Sequence, residues 1–221
     1  MKIDILTIFP SMFEGFLNES IIKRAIDKGK VKINLINFRD YTLDPHGKVD
    51  DTPFGGGAGM VLMIQPIYDA LMSIKTKDSY VILLTPGGNV FNQRKAREFV
   101  KYKHLILICG HYEGFDDRIK SLVDEEISIG DFILTGGEIP AMAISDAVIR
   151  LIDGVINKDS LISESFDSNL LDYPVYTKPR EFKGMKVPEI LLSGDHKKIE
   201  EYRRSEQERI TKERDERLKN S

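Results

Sequence analysis

The chain has 221 residues, 41% hydrophobic and 30% charged, with a formal net charge of -3. That length can bury one sizeable core and a small second unit, and the composition is globular. A lone cysteine, Cys109, excludes an intrachain disulfide framework. The scattered histidines lack zinc-ligand spacing, and the slight acidity obliges any nucleic-acid partner to meet a local basic surface.

The opening "MKIDILTIFP" is a short alternating run broken by Pro10, too short and wrongly flanked for a signal peptide. No window approaches a membrane span, so a cytoplasmic protein without a membrane partner is expected. Runs rich in β-branched residues predict strands over 3–9, 31–36, 80–85 and 104–109, the last two apolar enough to be buried on both faces. Between them, Ser11 to Glu14 reads as a capping box that starts a helix carrying Phe13, Leu17, Ile21 and Ala25, with Gly29 able to cap its far end. Further helices are expected over 66–74, 93–102 with Asn92 as N-cap, 116–123 and 140–152. This β/α alternation predicts an α/β fold with a mainly parallel sheet, helices on both faces and ligands beyond the carboxyl ends of the strands. After Gly154 the texture turns polar and reads as a linker. The tail over 196–220 is charged and helix-prone, either a solvated helix or an RNA-contacting face.

Four glycine loops stand out: "PFGGGAGM", "TPGG", "CGHYEG" and "SIGDFILTGGEIPAM". Glycine there lets main chain approach a ligand closely, although each loop alone fits a tight turn. Known signatures fail: Met60 stands where a dinucleotide fingerprint needs its last glycine, Gly47-Lys48 lacks the upstream glycine of a P-loop, and no GxSxG elbow occurs.

Taken in order with "LLDYPVYTKP" and "LSGDHKKIEEYR", these loops closely resemble the bacterial tRNA (guanine-N1) methyltransferases of the knotted SPOUT superfamily, over almost the whole chain. The resemblance implies a trefoil knot in an S-adenosylmethionine-binding domain (1–156), a flexible linker (157–168) and a small helical tRNA-binding domain (169–221). It also implies a homodimer with active sites shared between subunits. The implied reaction moves a methyl group from S-adenosylmethionine to N1 of guanine 37, the base just 3′ of the anticodon; a divalent cation such as Mg is not readable from sequence. General chain-threading rules weigh against a knot, and composition gives no sign of one.

Carried over by motif, the cofactor-binding residues are Leu84, Thr85, Pro86, Gly110, Tyr112, Glu113, Gly114, Ile129, Gly130, Asp131, Phe132, Ile133, Leu134, Gly136, Gly137 and Pro140. Guanine N1 carries a proton at neutral pH, so transfer needs a general base, and charge developing on O6 needs a cationic partner. The resemblance gives Arg150 the O6 role and Glu164 the role of base, where relatives carry an aspartate; Asp167 is the alternative. Asp50 and Gly59 are the substrate-binding candidates. Arg39, Lys178 and Arg180 are candidate phosphate contacts, while His196 fits either a tRNA contact or a helix start. Leu83, His111 and Ala58 depart from the family pattern. Two other readings stay open: methylation of a ribose hydroxyl or another base, and a non-catalytic RNA-binding dimer.

Overall fold

The chain runs β1 (Lys2–Thr7), α1 (Glu14–Asn18), α2 (Ser20–Asp27), β2 (Lys32–Asn37), a short pair β3 (Asp50–Asp51) and β4 (Val61–Leu62), then α3 (Ile64–Ile74). It continues with β5 (Ser79–Val90), α4 (Gln93–Phe99), β6 (His104–Cys109), β7 (Glu125–Ser128) and α5 (Glu138–Ile149). The computed structural model describes residues 1–157 and 170–219. They fall into two units, Met1–Asn157 and a second drawn from 158–221.

In the first unit, five strands pair in the order β2-β1-β6-β5-β7, every pairing parallel. Every residue of β6 is buried, as its unbroken apolar run requires of a strand covered on both faces. One face packs Ile5, Ile82, Leu105 and Leu107 against Phe13, Ala25, Phe99 and Ile144 from the helices. The other packs Leu6, Val81, Ile106 and Ile108 against Ile67 and Leu71 of α3. Within β1, Asp4 is fully buried, and three partners satisfy it: His104 Nε2 at 2.8 Å, Asn34 Nδ2 at 2.6 Å and Lys2 Nζ at 2.6 Å.

Several boundaries differ from expectation. The capping box starts no continuous helix: Pro10–Phe13 form a 3-10 turn, Phe9 at its N-cap makes no side-chain cap, and an extended Glu19 followed by Ser20 at φ +53° breaks α1 from α2. Gly29 does follow α2 in the left-handed region, its N–H donating to Ile26 O at 2.8 Å. Asn92 caps α4 by accepting from Lys95 N at 3.0 Å, but the helix ends at Phe99. The expected helix over 116–123 is a 3-10 turn, Asp117–Leu122. β5 runs past Thr85 to Val90, and its register against β7 shifts between Leu84 and Asn89. β7, "EEIS", was not expected as a strand, since half its short length is acidic.

The second unit holds the long helix His196–Lys219 and a short antiparallel pair, Glu181–Phe182 with Met185–Lys186. Its sequence is strongly polar, and neighbours one turn apart support it: Arg209 pairs with Glu206 at 2.7 Å and Glu213 at 2.7 Å. Thr211, the helix's buried residue, accepts from Leu171 N at 2.9 Å.

Candidate active site

β6 and β7 end beside the irregular stretch of β5 between Leu84 and Asn89, and glycine-containing segments follow both ends, while Gly87 and Gly88 interrupt β5. These segments and the start of α5 enclose a cavity of about 300 Å³. Its walls come from Leu84 to Pro86, from Gly110 to Phe115, and from Ile127 through Gly137 to Pro140. Every expected cofactor residue lines it except Asp131, which is exposed on the same loop. His111, Phe115, Ile127, Ser128 and Thr135 also line it, though the motifs assign them no ligand role. Ser128 had a readable signal, a serine two residues before a glycine: its hydroxyl donates to Gly130 O at 3.1 Å and accepts from Gly130 N at 3.2 Å, which turns the chain at the strand end.

The walls are held by main chain. Gly137 N donates to Gly110 O at 2.9 Å, and His111 bridges Gly136. A Cβ on Gly137 would fall 2.7 Å from Cys109 Cα, so only glycine lets the two loops meet. Tyr112 adopts φ +57°, an unusual conformation for a tyrosine and one that points to strain held by its surroundings. Burial pushes the Cys109 thiol well up, with the charge of Glu138 adding to the effect, so this residue at the end of β6 is a neutral hydrophobe.

The first glycine loop, over 53–60, reaches this cavity from outside. Glu113 N donates to Met60 O at 3.0 Å and Leu62 N to Gly114 O at 2.9 Å, so β4 fastens the loop over 53–60 to the cavity wall. Gly59, at φ +86°, leaves the space its side chain would need to Glu113. Asp50 pairs with Leu62 across the β3–β4 ladder; its neighbour Asp51 is held below the ordinary carboxylate range by the Thr52 N–H and by Lys48 at 3.1 Å.

Arg150 lies at the far end of α5, with its N–H on Asp146 O, and does not line the cavity. It stands ten residues along the helix from Pro140, a rise of about 15 Å. Glu164 and Asp167 lie outside the described residues. Arg39 donates to Gly47 O at 2.8 Å, which orders the loop before β3; Lys178, Arg180 and His196 belong to the second unit. Among the described residues no cluster of His, Cys, Asp or Glu could hold a metal, and no helix is long and apolar enough to cross a membrane.

A parallel α/β sheet with a cavity walled by glycine loops at its carboxyl strand ends is the arrangement in which open α/β proteins bind small ligands. A family model described as tRNA (Guanine-1)-methyltransferase TrmD matches residues 1–220. The chain is 62% identical over 213 residues to a protein of Ureaplasma urealyticum serovar 10, covering 96% of this chain and 93% of that one. It is 61% identical to one of Malacoplasma penetrans, with 96% and 94% covered, and 54% identical to one of Clostridioides difficile, with 97% and 95% covered. All three are named tRNA (guanine-N(1)-)-methyltransferase. The chain belongs to this methyltransferase family.

Proposed function

We propose that the protein methylates N1 of guanine 37 in tRNA, with S-adenosylmethionine bound in the cavity beyond β5, β6 and β7. The observation that carries this reading is the cavity itself, a cleft in which apolar side chains alternate with bare main chain. Leu84, Ile129, Ile133 and Leu134 offer apolar surface to a purine ring, and the main chain around Gly110 and Gly136 offers polar groups at close range. The carboxylate of Glu113 suits the ammonium of a methionyl end. When bound, the sulfonium supplies an electrophilic methyl group; the chain's own residues position, neutralise and accept a proton.

In this reading Glu164 takes the N1 proton and Arg150 balances the charge that grows on O6. The run of about 15 Å along α5 favours a shared site, because an arginine that far from its own cavity serves more easily beside the cavity of a second copy. A homodimer, a trefoil knot formed by the cavity loops, a linker over 157–168 and a tRNA-gripping unit over 169–221 complete the proposal, as does a cytoplasmic location. Asp50 and Gly59 would order the target base, which must leave the anticodon stack to be reached.

Incubating the pure protein with S-adenosylmethionine and unmodified tRNA tests this. The expected result is 1-methylguanosine in the nucleoside digest of tRNAs with guanine at that position, and none from guanine-to-adenine variants. A digest without 1-methylguanosine overturns the reading, and a 2′-O-methylated nucleoside in its place would move the chemistry to ribose.

A further inference from the structure

Glu138 stands in the first turn of α5 with 1% of its surface exposed. Its two oxygens meet different surroundings. Oε1 accepts a hydrogen bond from Thr7 Oγ1 at 2.7 Å, at the buried end of β1, and the Thr7 hydroxyl in turn accepts from Phe9 N at 2.9 Å. Oε2 is equally buried and has no hydrogen-bond partner. His111 Nε2 lies 3.9 Å away, and both atoms occupy the space that a side chain on Gly136 would need.

A buried carboxylate oxygen without a donor costs free energy, more so than a neutral one. A movement of about 1 Å would bring His111 Nε2 into ordinary hydrogen-bond range. The His111 ring is already steered toward that place, with Phe9 at 4.8 Å between centroids and Tyr112 edge-on at 5.4 Å. Because Tyr112 follows directly and holds a left-handed backbone, the placement of His111 sets where the turn delivers Glu113.

We propose that Glu138 is a positioning residue for methyl-donor binding: its unpartnered oxygen captures the His111 ring and thereby fixes the 111–114 wall of the cavity. This rests on the reading of that cavity as the S-adenosylmethionine site. A carboxylate that served only to tie α5 to β1 would need Oε1 alone, and Glu138→Gln keeps that atom as an acceptor for Thr7.

The test is a double-mutant cycle on S-adenosylmethionine affinity, by calorimetry, with Glu138→Gln, His111→Asn and the pair, each checked for folding by its melting curve. Each single change is expected to weaken binding about tenfold, the worth of one charge-assisted hydrogen bond. The double variant should be no weaker than either. Independent losses that multiply to about a hundredfold, or single variants with wild-type affinity, overturn the proposal. On unmutated protein alone, proton NMR should show a slowly exchanging His111 Nε2–H resonance, and its absence with and without donor also overturns it. If the wild type bound no donor, the cavity reading would fall, while the resonance would still decide whether Glu138 holds His111.

Discussion

Gly137 and Cys109 touch through main chain, with no room for a methyl group between Gly137 and the Cys109 Cα 2.7 Å from where it would sit. Since Gly137 has helical dihedrals, the constraint is purely steric. Gly137→Ala is expected to push the two loops apart at a cost of about 1–3 kcal/mol. The buried, neutral Cys109 thiol provides the measurement: it should resist alkylation in the native wild type and label measurably faster in the variant.

Gly59 makes the same kind of contact with a side chain. Its positive φ and the closeness of Glu113 mean that Gly59→Ala both strains the backbone and displaces the Glu113 carboxylate. Donor affinity is expected to fall about tenfold with a melting temperature only a few degrees lower, because the loop over 53–60 is exposed and holds little of the core. Calorimetry beside a melting curve separates the two effects.

Arg150 outside the cavity leads to a split phenotype. Arg150→Ala should abolish single-turnover transfer to tRNA, a loss of at least about a hundredfold, and leave S-adenosylmethionine affinity within about twofold. Glu164→Gln should lower the rate more than it changes tRNA affinity. A wild-type rate for Glu164→Gln would pass the proton-accepting role to another group, Asp167 being next in reach along the chain.

Asp4 is fully buried among His104, Asn34 and Lys2. Asp4→Ala strands these partners, all three on strands of the sheet, and should cost about 3–5 kcal/mol in urea unfolding. The lesion lies at the opposite ends of the strands from the cavity, so whatever protein remains folded should bind donor normally.

Asp116 caps the 3-10 turn after β6, accepting from Arg118 N at 3.0 Å and Arg118 Nε at 2.8 Å. The Arg118 side chain holds its carboxyl below the usual range, with the backbone N–H helping. A lowered folded value stabilises the native state above the unfolded value and is lost as pH falls through the folded one. Asp116→Asn keeps an oxygen to cap the turn and loses only the charge facing Arg118, so it should cost no more than about 1 kcal/mol near neutrality, since Arg118 is largely solvated. Urea unfolding at a series of pH values should show the difference shrinking below about pH 4.

Much of the fold was legible because continuous apolar runs leave few options. "HLILIC" and "YVILLT" both had to be strands covered on both faces; that they are neighbours was not legible. What the sequence hid was set by tertiary contacts. β7 is a strand because Tyr80, Lys95 and Asn89 all reach the Glu125 carboxylate at its start, not because "EEIS" favours one. The helix expected from the capping box breaks at Ser20, whose backbone does what the sequence pattern gave no hint of. The cavity walls followed from the motif order, whereas Glu138 did not stand out, since a glutamate after paired glycines reads as an ordinary first-turn acid. Its burial became visible only once Thr7 and His111 were placed against it.

A recess built of polypeptide backbone has an evolutionary side. To the extent that the proposed ligand pairs with the amides and carbonyls that every residue carries, replacing a neighbouring side chain would reshape the rim without erasing those groups. Compounds competing for this recess would in turn meet resistance more readily through shifts in loop spacing than through loss of any one contact.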